Sequence, residues 1–399
     1  MKFKRLCPVI FIAAILYANV AFSTTYYVKP TGSDSGDGLS WGQAFSTMTK
    51  AMDVVTSGDA VWAAAGTYTE GAQITVPVNV AVYGGFDGSE NQLSQRDIQN
   101  NKTIIDGENS YRCVYNDGTF DGFFVTNGYT TGDGAGIDSE GTIANCTIYN
   151  NTAGDDGGGI RNWEGTVFNC VLYNNSVTGG DYSWGGGIYN YSGTVANCTI
   201  YNNYNAGDYV DGGGVFTLGN SAKIINCIVW NNNYGDIVGL SDDIFYSCYG
   251  NSSGTGNISD NPLFVNTSGD PSTWDFHLQD GSPCVDAGTI NNAPVQDIEG
   301  NPRPGGDNNV CMGAYESPDA YLTGSLSPQR LYVSPFGDDT DGKSWSKAFT
   351  SLQSATTGTL VSESDDNFVV WVAAGTYREG ETVVINSRTR IYGGFDGSE

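Results

Sequence analysis

The chain has 399 residues, of which 44 are acidic and 17 basic, and its formal net charge is −27. A surface this acidic is repelled by nucleic-acid phosphates, so nucleic-acid binders are excluded. Long helical arrays carry far more charged residues than the 15% found here, so helical repeats are excluded as well. With 55 glycines, 24 tyrosines, 17 phenylalanines and 8 tryptophans, the composition instead indicates a glycine-punctuated β protein with a large core.

The N-terminus resembles a secretory signal peptide. Lys2, Lys4 and Arg5 precede an apolar run over 6–22, and small residues at positions 21 and 23 suit a signal peptidase. We therefore predict a cleaved signal over 1–23 and a secreted protein, extracellular or at the bacterial cell surface or outer membrane. A membrane anchor is the alternative, and the mature chain offers no other segment that could span a bilayer.

The opening segment after the signal returns at the other end of the chain. YVKPTGSDSGDGLSW, VWAAAGTYTEG and YGGFDGSE within 27–90 reappear in 332–399 as YVSPFGDDTDGKSW, VWVAAGTYREG and YGGFDGSE. This duplication predicts a first domain over 24–316, a linker over 317–328 and the incomplete start of a second copy over 329–399. We expect further domains of the same protein beyond Glu399. Within the opening, apolar residues between Trp41 and Val55 follow helical spacing, which predicts a short amphipathic helix capping the first coil.

The middle of the chain repeats one heptapeptide four times. NCTIYNN at 145–151, NCVLYNN at 169–175, NCTIYNN at 197–203 and NCIVWNN at 226–232 alternate with period two, so Cys146 and Ile148 should face inward and Tyr149 outward. Units of 21 to 29 residues cannot bury an apolar face alone and must stack. We predict an all-β, parallel β-helix, with an asparagine ladder at one turn: Asn127, Asn150, Asn174, Asn202 and Asn231.

A closing segment follows the coils at about 260–316. It contains GSPCVDAG, DIEGNPRP and MGAYE and interrupts the coil pattern. These motifs, together with the YVxPxGxDxxDGxSW opening and the AAGTY strand, resemble secreted right-handed parallel β-helix proteins of the pectate-lyase-like superfamily. The NN…GGG[IV] repeats are similar to those of polymorphic outer-membrane proteins. The resemblance implies fold and location, but its members include adhesins, surface-array proteins and polysaccharide lyases, so it does not imply a particular chemistry.

Cysteines and carboxylates provide the candidate binding groups. Five cysteines fall in the inward column and are interpreted as buried thiols, whereas Cys284 and Cys311 in the closing segment could form a disulfide. Three carboxylates precede the glycine motif in one column: Asp133, Asp156 and Asp211. They could bind calcium or could simply favour turns, and the same alternatives apply to Asp34 and Asp37.

Catalytic bases are scarce in the repeats. Over 113–260 the sequence offers only Arg161 and Lys223, and the repeat register predicts that neither lies beside the aspartate column. The lone His277 belongs to the closing segment, where a structural role is favoured. An outward aromatic column could contact sugars or could stabilise the sheet by stacking: Tyr149, Tyr173, Tyr201 and Trp230.

These observations favour a non-catalytic secreted or cell-surface β-helix module that acts as a rigid surface for display or adhesion. Its partners would be polysaccharides, cell-surface glycans or other cell surfaces, and nucleic acid is excluded. The alternative is a calcium-dependent polysaccharide lyase or glycoside hydrolase that acts on acidic polysaccharide.

Overall fold

The computed structural model describes most of the chain beyond the predicted signal peptide. The described residues are 24–179, 183–206, 212–219, 221–239, 244–304, 309–317, 329–338, 340, 342–355, 368–373, 376–377 and 389–395. The predicted signal peptide, nearly all of the predicted linker and Asp211 lie outside these ranges. The chain divides into two compact units, one ending at Glu316 and the other formed mainly by 317–399.

The first unit is a parallel β-helix, which confirms the predicted fold. Its strands form three long parallel sheets and one short one. Sheet A contains Thr25–Val28, Ala60–Ala64, Ala81–Phe86, Thr119–Asp121, Thr142–Ala144, Thr166–Phe168, Thr194–Ala196, Lys223–Ile225 and Ile244–Phe245. Sheet B contains Gly66–Tyr68, Thr103–Asp106, Phe124–Thr126, Thr147–Tyr149, Val171–Tyr173, Thr199–Tyr201, Ile228–Trp230 and Cys248–Tyr249.

The other two sheets complete each coil. Sheet C contains Ile74–Val76, Val114–Asn116, Ile137–Ser139, Ile160–Asn162, Ile188–Asn190, Val215–Thr217 and Ile237–Val238. Sheet D contains Tyr129–Thr130, Thr152–Ala153, Ser176–Val177 and Tyr204–Asn205. In the coils that contain a sheet D strand, the chain runs from sheet C through A and B to D, and a glycine-rich loop leads back to sheet C.

The core lies inside the coils, as the alternation predicts. Cys146 and Ile148 are fully buried, and the equivalent residues of neighbouring coils stack above and below them. The turn asparagines adopt left-handed φ angles, for example 56° at Asn150 and 54° at Asn174. Asn202 Nδ2 donates to Asn174 Oδ1 at 2.7 Å, so part of the predicted ladder is hydrogen-bonded between coils.

The predicted capping helix is also present. A 3-10 turn over Trp41–Gln43 is followed by an α-helix over Met48–Val54, whose Thr47 cap accepts a hydrogen bond from the Lys50 amide. Met48 and Ala51 are fully buried in the core of the first coils. Further 3-10 turns lie at Leu93–Gln95 and Pro271–Thr273. Among the described residues, no helix is long and apolar enough to cross a membrane.

The closing segment folds back along the side of the coils. Its antiparallel strands Phe264–Asn266 and Asp275–Leu278 place aromatic side chains against sheet B, which has an apolar outer face to bury. The buried ion pair between Arg303 and Glu316, 3.0 Å long, joins its NPRP and GAYE motifs. Thr199 Oγ1 of sheet B accepts a hydrogen bond from the Ala314 amide, which fixes the segment to the coils.

The second unit repeats the pairing of the opening coils. Its strands are Gln329–Val333, Phe368–Ala373 and Thr389–Phe395, with a 3-10 turn over Trp345–Lys347. Tyr332 pairs with Trp371, just as Tyr27 pairs with Trp62 in the first unit. The division into two tandem copies remains a prediction, and the matched register agrees with it.

Candidate functional site

Glycine-rich loops lead each coil into sheet C and set the position of the aspartate column. The glycine that follows the column has a left-handed backbone, with φ of 57° at Gly134 and 67° at Gly157. A Cβ atom at Gly157 would collide with the carbonyl oxygen of Ile160, so only glycine fits. Because Ile137 pairs with Ile160, the loops before them lie one coil apart.

Three carboxylates meet in these loops. Oxygens of Asp133, Asp155 and Asp156 lie within 4.8 Å of one another. The Asp156 amide donates to Asp133 Oδ1 at 3.2 Å, and the Trp184 amide donates to Asp156 Oδ1 at 3.0 Å. Burial, reinforced by the charges of Asp155 and Asp133, raises the pKa of Asp156 to about 7. The structure thus brings two of the three predicted column residues together with Asp155.

Arg161 lies beside this cluster, so the prediction that it stands apart from the aspartates is wrong. Its Nε is 3.3 Å from Asp133 Oδ2, and its Nη1 is 3.1 Å from Asp138 Oδ1. Although burial alone would lower the pKa of Arg161, the charges of Asp138 and Asp133 raise it. The repeat register of the loops did not place Arg161 there because its side chain reaches them from the adjoining strand.

The outer column of sheet C supplies the groups around the cluster that the sequence analysis missed. Strand pairing aligns Asp138 with Arg161, Arg161 with Tyr189, and Tyr189 with Phe216. Each of these residues directly follows the Ile or Val of a glycine motif, so period-two alternation could have identified the column. The motif residues themselves face the core, and the residue after them faces outward.

Aromatic rings flank the carboxylates on both sides. Trp184 stacks on Phe216 with ring centroids 5.1 Å apart, and Trp163 stacks on Tyr191 at 4.2 Å. The guanidinium carbon of Arg161 lies 4.7 Å from the Trp163 ring centroid, a cation–π contact. We call this surface, made of the three loop aspartates, Arg161, Asp138 and these aromatic residues, the sheet C face.

The donor set of the sheet C face fits calcium. The loop aspartates offer only carboxylate oxygens, and they come from two successive loops rather than from one rigid strand. Four carboxylates surround two arginines, since Arg112 Nη2 lies 3.5 Å from Asp138 Oδ2, so negative charge is in excess. Asp133, Asp155 and Asp156 would hold the ion, which would supply positive charge for an anionic ligand.

The two aspartates of the opening loop both accept hydrogen bonds from backbone amides. Asp34 Oδ1 accepts hydrogen bonds from the Ser46 and Thr47 amides at 2.9 and 3.1 Å, just before the capping helix. Asp37 Oδ1 accepts one from the Leu39 amide at 2.9 Å. Asp37 therefore forms an Asx-turn, one of the two alternatives that the sequence leaves open for this loop, whereas Asp34 ties the loop to the segment before the capping helix.

The predicted sugar-contact column is largely covered by the closing segment. Tyr201 is only 8% exposed and packs edge-on against Trp274 at 5.3 Å. Tyr173 contacts both Trp274 and Phe276 at 5.7 Å and stacks on Tyr149 at 5.2 Å. Tyr149, Tyr173 and Trp230 are half-buried. The prediction that Tyr201 belongs to an exposed aromatic ladder is therefore wrong, because the closing segment packs on this column.

The predicted disulfide is not present. Cys284 and Cys311 are both buried thiols, and Cys284 lies in the same apolar cluster as Cys248 of sheet B. His277 contacts two carboxylates, with its Nδ1 2.6 Å from Asp275 and its Nε2 3.1 Å from Glu299. These contacts join neighbouring parts of the closing segment, as expected for a structural histidine.

Comparisons with known proteins find only distant likenesses. The chain matches no protein-family model and no curated protein. Among solved structures it is similar to the pectate lyase Pel9A, with a TM-score of 0.40, 15% identity, and coverage of 74% of this chain and 97% of that one. It is also similar to a rhamnogalacturonan lyase, with a TM-score of 0.35, 16% identity, and coverage of 56% and 68%. Likenesses this distant carry no argument about activity.

Proposed function

We propose that the protein is a secreted or cell-surface β-helix module that binds acidic polysaccharide on the sheet C face without cleaving it. Calcium held by Asp133, Asp155 and Asp156 would bridge the protein to the uronate carboxylates. The observation that carries the proposal is the double ion pair of Arg161 with Asp133 and Asp138. Both arginines of this surface, Arg161 and Arg112, are thus held by carboxylates as protonated guanidinium groups, and a protonated guanidinium cannot accept a proton.

Charge supports the calcium requirement. The chain carries a net charge of −27, and the sheet C face adds excess carboxylates locally, so an acidic polysaccharide is repelled unless a divalent ion intervenes. Half-buried Trp163, Tyr191 and Trp184 border the cluster and offer apolar ring edges to a sugar chain. Duplication of the opening coils agrees with a module that is repeated for display.

One observation favours the alternative of a calcium-dependent polysaccharide lyase or glycoside hydrolase. Arg161 lies beside the aspartates, where a lyase would need a basic group. A calcium ion bound to Asp133 would compete with Arg161 for that carboxylate and would release the guanidinium from this ion pair, while the pair with Asp138 remains. The test must therefore measure cleavage and binding in the same samples.

The experiment uses the protein with polygalacturonate, pectin and alginate, in millimolar calcium and in EDTA. We expect calcium-dependent retardation in affinity electrophoresis, with no rise in ultraviolet absorbance from unsaturated products. Asp156→Asn should abolish most of the retardation, whereas Asp37→Asn, in the opening loop, is the matched control and should not. Turnover above an Arg161→Ala sample would establish the lyase, and equal retardation in EDTA would refute the calcium bridge.

A further inference from the structure

A cavity of about 730 Å³ lies on sheet A, away from the sheet C face. Two segments form its walls, 93–100 after the opening coils and 292–301 in the closing segment. The floor is the outer surface of sheet A and the turn that follows it: Asp121, Asn145, Phe168 and Asn169. Its volume is in the range of pockets that hold small ligands.

In the floor of the cavity, Phe168 is a large aromatic residue at a position where the neighbouring coils have alanine. Strand pairing places Phe168 between Ala144 and Ala196 in the outward column of sheet A. Phe168 is 8% exposed, so its two small neighbours leave only a small part of the ring at the base of the cavity, and Leu93 and Val295 add apolar groups to its walls. Val295 is 42% exposed, so it lies at the rim.

A chain of buried polar groups crosses the floor beside this ring. Arg96 Nη2 contacts both carboxylate oxygens of Asp121 at 2.9 Å. Asn145 Nδ2 donates to Asp121 Oδ1 at 2.8 Å, and Asn169 Nδ2 donates to Asn145 Oδ1 at 3.1 Å and to the Gln296 carbonyl at 2.7 Å. These bonds fix the orientation of each amide, so the floor is preorganised before a ligand arrives.

The chain of amides ends on an acceptor without a donor. Asn169 is 2% exposed, and its Oδ1 has no hydrogen-bond partner. The next asparagine, Asn197, does not continue the ladder, because its Nδ2 donates to the Cys311 carbonyl at 3.4 Å instead. An unsatisfied buried acceptor is costly, and a donor such as a hydroxyl group would offset that cost.

We propose that this cavity is a second binding site, for a neutral saccharide of one or two residues. A sugar presents an apolar face that can contact the exposed part of Phe168 together with Leu93 and Val295, and hydroxyl groups that can donate to Asn169 and exchange hydrogen bonds with the surrounding amides. Acidic sugars are disfavoured because four carboxylates line the cavity against one arginine: Asp97, Asp121, Asp297 and Glu299 against Arg96. The site needs no metal, and it does not depend on the proposed function of the sheet C face.

The test is isothermal titration calorimetry of the full chain in EDTA. The probes are cellobiose, xylobiose and galactobiose, with digalacturonate as the acidic comparison. We expect at least one neutral disaccharide to bind saturably below about 10 mM and digalacturonate not to bind. Phe168→Leu should weaken binding by about tenfold, since it removes the flat ring, and Val295→Trp should block the rim. Asp156→Asn, on the sheet C face, should leave the affinity unchanged.

Three results would overturn the proposal. These are no binding by any of the three neutral probes, tighter binding of digalacturonate than of every neutral probe, or full affinity in the Val295→Trp protein. Thermal unfolding of each variant distinguishes a lost site from a lost fold, and Val295→Trp changes an exposed side chain, so it keeps the test valid if Phe168→Leu unfolds. If the cavity binds no neutral sugar, the proposed calcium-dependent binding of polygalacturonate on the sheet C face still stands. If that binding is absent, the proposed site in the cavity still stands.

Discussion

The buried ion pair of the closing segment gives the sharpest test of how this segment is held. Arg303 and Glu316 are 0% and 2% exposed at their side chains, and Arg303 also donates to the carbonyls of Cys311 and Gly313 at 3.0 and 2.9 Å. Glu316→Gln keeps the shape of the side chain but leaves a buried guanidinium without its counter-charge. Breaking a buried pair in this way costs about 3–5 kcal/mol.

This loss should lower the melting temperature by roughly 10 °C in differential scanning calorimetry. Replacing both partners, as Arg303→Met with Glu316→Leu, removes the unpaired charge and should recover part of the loss. Glu299→Gln is the matched control, because Glu299 belongs to the same segment but is 30% exposed at its side chain, and it should cost under about 1 kcal/mol. If Glu316→Gln and Glu299→Gln lower the melting temperature equally, the ion pair does not anchor the segment.

Two further predictions concern pH and the core. Hydrogen bonding to Glu299, with help from Asp275, raises the pKa of His277 to about 9, so its stabilising contribution is complete below its ordinary pKa of 6.5 and is lost as pH rises towards 9. Melting temperatures of the wild type and His277→Gln should therefore converge between pH 6.5 and 9.5, and a constant difference would contradict the assignment. Ile148→Asp should abolish folding by circular dichroism because Ile148 is fully buried, whereas Tyr149→Ser should be mild because it loses chiefly a stack on Tyr173; equal effects would mean that the inward and outward faces are misassigned.

The sequence predicts the coil architecture well because a strict repeat converts local alternation into long-range contact. Once Cys146 and Ile148 are assigned to the inside, every later coil must place its own residues above them, and the structure does so. The capping helix follows from the same local logic, since Met48 and Ala51 lie on one helical face. Neither inference required knowledge of a distant partner.

Contacts between distant segments could not be predicted in this way. The aromatic column on sheet B reads as an exposed surface until the closing segment, a hundred residues later for Tyr173, covers it. The position of Arg161 beside Asp133 depends on the length of its side chain and on the bend between loop and strand, which the repeat spacing does not contain. Both errors arose because a column was judged from its own repeat alone.

The two binding sites that we propose both lie where the repeat is broken. A perfect β-helix presents identical columns, and identical like charges one coil apart would repel while identical apolar groups would bury each other. On sheet C, Arg161 interrupts an acidic and aromatic column and takes up two carboxylates, leaving a cluster with excess negative charge. On sheet A, Phe168 stands between two alanines, and the amide ladder is interrupted beside it, between Asn169 and Asn197. Arg161 and Phe168 each differ from the residues above and below them in the column, so they do not form the stacked contacts of a regular repeat. Their neighbours therefore keep carboxylates and amides that a ligand would satisfy.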